Sequence, residues 1–325
     1  MKLAAFAVET PVGPERRVGV VENPDADERD HRLLDVTAAY AQVLADAGED
    51  DPAAVARTLA PPEMLAFLSR GDRAMDAVRA ALDADLDVDR GPTGGRVRFE
   101  RAAVDLLAPV PRPNTFRDCM VFEEHVKGGS GGDPPDVWYD QPIYYKGNPD
   151  TIVAPGETID WPAYSDTMDY ELELAAVVGK RGRDVPASEA AAYIAGYTIL
   201  DDFSARDAQR REMEGRLGPA KGKDFASGLG PYLTTADDFD DRDARMTAEV
   251  NGEQWSVGRP GDMYHSFAEI VEHVSRSEPL VPGDVIGSGT VGGGCGLELG
   301  QFLADGDTVR LTVEGIGVLE HTVAR

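Results

Sequence analysis

The chain of 325 residues is long for one compact core and suits two domains. It carries 59 Asp and Glu against 32 Lys and Arg, a formal net charge of −27, which makes nucleic acids and anionic membranes poor partners. No apolar run approaches the roughly 18 residues that span a bilayer, and the apolar stretch at the amino terminus is too short for a signal peptide, so we expect a cytoplasmic protein.

The excess of acids also indicates the salt concentration in which the protein works. Such self-repulsion destabilises a compact chain in dilute buffer, whereas concentrated salt screens it within a few ångströms. Only six basic residues are lysine and the other 26 are arginine. We therefore expect a salt-adapted organism, although codon bias would explain the shortage of lysine equally well. The two cysteines, Cys119 and Cys295, are expected to be free thiols, because two cysteines do not make a disulfide framework.

Residues 1–110 alternate short strand candidates with Ala-rich helical stretches. The strand candidates are KLAAFAV (2–8) and RRVGVVE (16–22), and the predicted helices cover 31–48 and 61–87. A Pro-rich link follows at 109–113, which breaks both helices and strand pairing. We place a domain boundary there, with a smaller N-terminal α/β domain over 1–110 and a second domain over 111–325.

The second domain is predicted to be β-rich with few helices. Its strand candidates are bounded by Gly, Pro and Asp, and several are separated by turns such as NGE and DGD. They are TIVAPGETI (151–159), YELELAAVVG (170–179), YIAGYTIL (193–200), MTAEVNGEQW (246–255), DVIGSGTV (284–291) and TVRLTVEGIGVLEHTV (308–323).

One of these strands carries a row of acids. Asp169, Glu171 and Glu173 alternate with apolar residues, and alternate residues of a strand point to the same face. Two carboxylates about 4 Å apart repel by roughly 1 kcal/mol in water and by several at lower dielectric. Converging acids therefore need a cation, and oxygen ligands favour Mg²⁺, Mn²⁺ or Ca²⁺. The alternative is that these acids face solvent, which is weaker for Glu171 and Glu173 in an otherwise buried strand.

Two further stretches carry candidate polar groups. Asp118 and His125 are seven residues apart, about two helical turns, so one helix face could present both. The Gly-rich segment 126–136 after them is predicted to be a mobile lid. His125 could equally be an exposed polar residue.

The segment ILDDFSARDAQ predicts a helix start. Ser204 and Asp207 form an S-x-x-D pattern typical of a helix N-cap, and Arg206 and Gln209 would then share one helix face. Farther along, Lys223 lies between Gly222 and Asp224 and could offset the acids, hold a substrate anion or pair with its acidic neighbour.

A Gly-rich cluster lies between 287 and 296. Its glycines permit close approach of the backbone to a ligand, and Thr290 offers a hydroxyl group. Glu298 follows in a strand-like LEL. No GK[ST] follows the cluster, and its GSGTVG (287–292) is followed by a strand-like LEL and not by a predicted helix, so the cluster does not fit a phosphate loop.

Taken in order, five stretches resemble the fumarylacetoacetate hydrolase family over roughly residues 110–325. They are RDCMVFEEH, DYELELAAVVGK, DDFSARDAQ, LGPAKGKDF and GSGTVGGGCGLEL. The resemblance implies the family's mixed β-roll for the second domain, a β-rich α+β fold, and a homodimer.

The resemblance also implies roles for individual residues. Metal ligands are implied at Glu171, Glu173, Asp202 and Asp118, with Asp169 behind them. The base is implied at His125 with Glu298 as its partner. Groups that bind the substrate or its oxyanion are implied at Arg206, Gln209, Lys223, Thr290 and Tyr145.

These roles predict a metal-dependent hydrolase that cleaves a carbon–carbon bond in a diketo acid or acylpyruvate. The partner is then a small 2-keto acid, and the cofactor is Mg²⁺, or Mn²⁺ or Ca²⁺. The alternatives are a dehydratase of 2-keto-3-deoxy sugar acids, with Glu124 or His125 as acid and base, an oxaloacetate-type decarboxylase, and a non-enzymatic metal-binding scaffold.

Overall fold

The architecture consists of two large β-sheets, a two-stranded pair and peripheral helices. The computed structural model describes residues 1–84, 86, 88–130 and 132–325. In that part of the chain a 12-stranded mixed sheet, a five-stranded sheet and a two-stranded pair account for the strands. No helix there is long and apolar enough to cross a membrane.

The strands are β1 (Lys2–Thr10), β2 (Gly13–Val21), β3 (Arg32–Asp35), β4 (Arg98–Glu100), β5 (Asp105–Leu106), β6 (Phe116–Cys119), β7 (Tyr144–Gly147), β8 (Ile152–Val153), β9 (Thr158–Asp160), β10 (Met168–Asp169), β11 (Leu172–Val178), β12 (Ile194–Asp201), β13 (Ser204–Ala205), β14 (Ser227–Thr235), β15 (Met246–Val250), β16 (Glu253–Gly258), β17 (Val285–Gly287), β18 (Thr308–Val313) and β19 (Gly317–Ala324).

The α-helices are α1 (Val36–Asp46), α2 (Pro52–Leu59), α3 (Met64–Leu68), α4 (Asp72–Asp83), α5 (Glu123–Ser130), α6 (Asp136–Asp140), α7 (Arg206–Glu214), α8 (Phe267–Ser275) and α9 (Gly296–Leu299). Short 3₁₀ helices occupy Glu28–Asp30, Arg101–Ala103, Pro149–Thr151, Ala187–Tyr193, Ala236–Asp238 and Pro260–Asp262.

The large sheet runs in the order β4, β3, β2, β1, β14, β12, β11, β17, β6, β7. Its strand β11 is buried on both faces: Leu172 and Leu174 belong to one hydrophobic core, and Ala175 and Val177 belong to another. Fully burying a Val or Leu side chain contributes about 1.5–3 kcal/mol. This explains why the second half of β11 is apolar at every position and holds the centre of the sheet.

The sheet continues across the predicted boundary at residue 110. Strand β1 pairs with β14, with Lys2 opposite Thr234 and Leu3 opposite Leu233. Leu3 also shares one hydrophobic core with Leu229 of β14. The division into two domains at residue 110 stays a prediction, and the two parts are joined by strand pairing and by a shared core.

The predicted helices of the N-terminal part differ from the observed ones. The stretch 31–48 begins as strand β3, since Arg32 pairs with Glu100 of β4, and only then continues as α1. Asp35 caps α1 by accepting a hydrogen bond from Ala38 N at 3.0 Å. The predicted helix over 61–87 is divided into α3 and α4 by Gly71, whose φ of 55° lies in the left-handed region.

The predicted NGE turn at 251–253 is confirmed, and it divides the strand candidate over 246–255 into two strands. Strands β15 and β16 pair antiparallel from Met246 opposite Gly258 to Val250 opposite Glu253. Asn251 takes the turn position with a φ of 53°, which Asn tolerates better than most residues.

Gly196 lies in β12 where the strand passes closest to β14. A Cβ atom at this position would stand 2.1 Å from the carbonyl oxygen of Thr234. Because backbone cannot move aside at the centre of a sheet, we expect Gly196→Ala to lower the free energy of unfolding by about 1–3 kcal/mol.

The measurement is urea unfolding at fixed salt. The matched control is Gly95→Ala, whose Cβ would meet only the Thr93 hydroxyl at 3.7 Å and should change stability by less than about 0.5 kcal/mol. Equal stability of the two variants would contradict this account of the sheet.

Candidate active site

The acidic strand is interrupted at its start. A continuous strand over 170–179 was predicted, but β10 ends at Asp169 and β11 begins at Leu172, with Glu171 in an isolated bridge to Cys295. The alternation of the side chains nevertheless holds. Tyr170 lies in the hydrophobic core, whereas Asp169, Glu171 and Glu173 are buried on the polar side.

Neighbouring strands bring two more acids to the same place. Asp118 lies in β6, which pairs in parallel with β17, which in turn pairs with β11. Asp202 follows directly after β12, on the other side of β11. One carboxylate oxygen from each of four buried acids lies within 4.8 Å of the others; the acids are Asp118, Glu171, Glu173 and Asp202.

The position of Asp118 differs from the predicted one. Asp118 and His125 were expected on one helix face, but Asp118 lies in a strand and His125 lies in α5. The two still line one cavity because the chain turns between β6 and α5.

Burial and mutual repulsion change the acidity of this cluster. Burial and the charge of Asp202 raise the pKa of Asp118 to about 8. Burial, with Asp118 as the nearest like charge, also holds the pKa of Glu173 well above its usual range. Burial alone would raise the pKa of Glu171 too, but Lys223 and Arg206 overcome it and hold this pKa well below its usual range.

Two basic side chains offset part of the negative charge. Lys223 Nζ donates to Glu171 Oε2 and to Asp202 Oδ2, so its partners are these acids and not Asp224. Arg206 donates from Nε to Asp169 Oδ2 and from Nη2 to Glu171 Oε1, both at 2.7 Å.

Further polar groups complete the surroundings of the acids. Arg206 Nη1 donates to Gln209 Oε1 at 3.0 Å, which shows that both lie on one face of α7. The Tyr145 hydroxyl donates to Asp202 Oδ2 at 2.6 Å, and Thr290 Oγ1 lies 3.3 Å from Glu173 Oε1.

The donor set fits a hard divalent cation. All four clustered acids offer oxygen, the ligand atom that Mg²⁺, Mn²⁺ and Ca²⁺ prefer. Among the described residues, buried Glu173 Oε2 has no hydrogen-bond partner. Buried acceptors are nearly always satisfied, and two basic side chains do not balance these acids. The residues that could hold the cation are therefore Asp118, Glu171, Glu173 and Asp202.

A histidine–glutamate pair lies beside the acids. His125 Nδ1 donates to Glu298 Oε2 at 2.9 Å, which leaves Nε2 as the acceptor nitrogen, 4.0 Å from Glu171 Oε1. Burial would raise the pKa of Glu298, but the hydrogen bond from His125 and the amide of Gly293 hold that pKa below its usual value. The pair has the geometry of a general base with an orienting carboxylate.

Glu298 lies in a helix, which corrects the prediction of a strand. The sequence GLEL forms α9, and the amides of Gly296 and Leu297 at its start donate to the carboxylate of Asp169 at 2.7 and 3.0 Å. A carboxylate at a helix N-terminus satisfies amides that have no partner within the helix. The same Asp169 thus orients both α9 and Arg206.

The segment 126–136 is helical through Ser130, and Gly131 within it lies outside the described residues, so its action as a lid stays a prediction. One other local prediction was wrong. Ser204 does not cap α7, because it lies in β13 and donates to the carbonyl of Asp202 at 3.0 Å. Asp207 instead accepts from the amide of Asp166 at 3.0 Å.

Sequence reasoning missed the residues that support the histidine–glutamate pair. Cys295 Sγ donates to Glu298 Oε2 at 3.3 Å. A Cβ atom at Gly128 would stand 2.8 Å from Glu298 Oε1, so this position leaves space for the carboxylate. The signals were present as a cysteine inside the Gly-rich cluster and as a glycine one helical turn after His125.

A cavity of about 210 Å³ joins these groups. It is lined by Asp118, Cys119, Met120, His125, Ile143, Tyr144, Tyr145, Glu171, Glu173, Arg206, Gln209, Met213, Gly218, Pro219, Lys223, Gly289 and Thr290. A larger cavity of about 710 Å³ lies beside α3 and α4, but its lining does not include any of the clustered acids. The clustered acids and His125 therefore identify the smaller cavity as the candidate active site.

The model of the fumarylacetoacetate hydrolase C-terminal family matches residues 114–324. The chain belongs to this family. Human mitochondrial oxaloacetate tautomerase FAHD2A is 33% identical over 266 residues, which is 81% of this chain and 80% of that protein. A fumarylacetoacetate hydrolase from Exiguobacterium antarcticum has a TM-score of 0.70 at 28% identity and covers 99% of this chain and 100% of its own.

A third relative supports the fold. A maleylpyruvate hydrolase from Sphingobium, solved with manganese(II) and pyruvate, has a TM-score of 0.69 at 23% identity and covers 100% of this chain and 99% of its own. The predicted fold class, a β-rich α+β fold of the fumarylacetoacetate hydrolase type, is confirmed, and family members include hydrolases, isomerases and tautomerases.

Removal of one clustered carboxylate should weaken metal binding. We expect Glu173→Gln to lower the affinity for Mn²⁺ by more than about 100-fold, because it neutralises a buried carboxylate whose Oε2 has no hydrogen-bond partner among the described residues, and even outer-sphere partners of metal ligands contribute 10–100-fold. Isothermal titration with Mn²⁺ is the measurement. The control is Glu253→Gln at an exposed position of β16, which should bind Mn²⁺ as the unmodified protein does. Equal affinity of the unmodified protein and both variants would exclude a metal at the cluster.

Proposed function

We propose that the protein is a metal-dependent hydrolase that cleaves the carbon–carbon bond of an acylpyruvate-type diketo acid. The observation that carries this proposal is the His125–Glu298 pair, whose atoms lie 2.9 Å apart beside the buried acids. Hydrolysis needs a base that activates water next to a site that holds the 2-keto acid. One cavity contains His125 and three of the four clustered acids.

The four acids would hold Mg²⁺, or Mn²⁺ or Ca²⁺, as the cofactor. When bound, such a cation supplies Lewis-acid polarisation of the 2-keto carboxylate of the substrate. Tyr145 and Thr290 would contact the substrate from β7 and from the Gly-rich cluster, since both line the cavity.

His125 would act as the general base. Its Nε2 takes a proton from water, whose oxygen forms a bond to the distal carbonyl carbon of the diketo acid. Glu298 fixes the tautomer and stabilises the imidazolium that forms. The bond between C3 and C4 then breaks, and C3 takes the proton from His125, so that the products are pyruvate and a carboxylic acid.

The oxyanion at the distal carbonyl would be stabilised by Arg206, Gln209 and Lys223. All three line the cavity, and donors of this type often contribute a few kcal/mol each to lowering the barrier.

Enol–keto tautomerisation of oxaloacetate is a second candidate. It is favoured by the relatives named as oxaloacetate tautomerases, which are 32–34% identical over 81% of this chain. The same histidine would move a proton between the enol oxygen and C3, without attack by water. A homodimer, a cytoplasmic location and a salt-adapted origin stay predictions.

A panel of substrates separates these reactions. The protein, in molar KCl with Mg²⁺ or Mn²⁺, is incubated with acetylpyruvate, enol-oxaloacetate and 2-keto-3-deoxypentonate. Release of pyruvate and acetate supports the hydrolase. Ketonisation of oxaloacetate without release of pyruvate identifies the tautomerase, pyruvate from oxaloacetate identifies a decarboxylase, and turnover of only the deoxy sugar acid identifies the dehydratase. Absence of all turnover would favour the scaffold.

Replacement of the base should remove most of the activity. We expect His125→Ala to lower turnover of acetylpyruvate by roughly 10²–10⁴-fold, the usual contribution of a general base, while Mn²⁺ binding by titration stays intact. Full turnover by this variant would exclude the histidine mechanism.

A side chain at position 128 should displace Glu298. We expect Gly128→Ala to lower turnover by about 10²-fold, because its Cβ would stand 2.8 Å from Glu298 Oε1 and separate the carboxylate from His125. The matched control is Gly129→Ala in the same helix, whose Cβ would meet only Leu297 Cδ2 at 3.9 Å. If both variants lose the same activity, helix propensity and not the position of Glu298 is responsible.

A further inference from the structure

The lining of the 210 Å³ cavity divides into two chemically different parts. One part carries the acids, His125 and the two basic side chains. The other part is apolar, and its side chains come from four separate segments: Met120 after β6, Ile143 and Tyr144 at the start of β7, Met213 in α7, and Pro219 after it.

The apolar part extends away from the acids along α7. Arg206 contacts Glu171 at the first residue of the helix, and Met213 follows seven residues later on the same side. Seven residues correspond to about 10 Å of helix. The cavity lining therefore spans about two turns of α7, from the arginine that contacts the acids to Met213.

Charge disfavours a second anionic group in this ligand. Arg206 and Lys223 lie at the acid end of the cavity, where they contact Asp169, Glu171 and Asp202. Among the described residues that line the apolar part, none is basic. With Arg206, Lys223 and a divalent cation, the four ionised acids reach a net charge of about zero, so the acid end offers no excess positive charge to a distal carboxylate and the apolar part offers it no basic partner.

Exposed methionines lie at the mouth of the apolar part. The side chains of Met120 and Met213 are 37% and 50% exposed, on a protein with a net charge of −27. Flexible, polarisable methionines adapt to aliphatic chains of different shape, and exposed apolar groups at a cavity mouth are typical of a binding surface.

We propose that this apolar part binds the uncharged acyl chain of the substrate and that it selects acylpyruvates with an aliphatic chain of several carbons over their ω-carboxylated analogues. The proposal rests on the proposed function in one respect, namely that the acid end holds the 2-keto carboxylate.

The test measures binding and needs no turnover. N-alkyl oxamates, which present the carboxylate and adjacent carbonyl of a 2-keto acid, are titrated into the protein loaded with Mn²⁺, with chains from methyl to hexyl and with ω-carboxylated chains of equal length. We expect affinity to rise about fourfold for each methylene, which corresponds to about 0.8 kcal/mol. The ω-carboxylated chains should bind at least tenfold more weakly than their alkyl counterparts.

Variants of Met213 test whether the acyl chain binds at the apolar part of the cavity. The half-exposed side chain of Met213 can be replaced without disturbing the core. Met213→Lys should reduce the preference for the alkyl chain or reverse it, whereas Met213→Leu should keep the dependence on chain length. Val12→Lys, which adds the same charge at a residue that is 90% exposed in the turn between β1 and β2, should leave the preference unchanged.

The outcomes separate this inference from the proposed function. Affinity that does not depend on chain length, or tighter binding of the ω-carboxylated chains, would overturn the inference even if acetylpyruvate is hydrolysed. The expected dependence on chain length without hydrolysis of any acylpyruvate would support the inference and overturn the hydrolase. Absence of oxamate binding would overturn both.

Discussion

The repulsion among the buried acids is the constraint on which the site depends. The four acids lie in or directly beside neighbouring strands; they are Asp118, Glu171, Glu173 and Asp202. All four are buried, so little water is present to screen their charges. Lys223 and Arg206 lower this cost but do not remove it. The apolar cores on both faces of β11 provide the stability that keeps such a cluster in place, and a bound cation would turn the repulsion into attraction.

The supporting groups around the acids follow from the same constraint. Asp169 would add a further charge, but it is used by the amides at the start of α9 and by Arg206. This arrangement fixes α9 against the acidic strand and thereby sets the place of Glu298. Gly128 lets α5 approach α9 closely enough for His125 to reach that carboxylate. The orientation of His125 is therefore linked to the acids through backbone contacts as well as through side chains.

The sequence was sufficient to predict the row of acids, because a period of two residues is a local property of a strand. It could not place Asp118 or Asp202 beside that row without the family resemblance, since their approach depends on the order of β6, β17, β11 and β12 in the sheet. Local sequence patterns also predicted the wrong secondary structure where tertiary contacts determine it. LEL reads as a strand, but the amides at the start of α9 bind Asp169, and RLLD reads as part of a helix, but it pairs with β4.

The pairing of β1 with β14 bears on how such proteins can be divided and recombined. A fragment that begins near residue 111 would keep the pairing of β8 with Ser227 and Gly228, but it would leave Leu233 and Thr234 of β14 without their partners in β1 and expose apolar residues of the shared core. Unprotected strand edges are templates for association with other chains. The N-terminal part thus covers an edge of the second part, and exchange of this part between homologues would succeed only where the replacement restores both the strand register and the apolar surface.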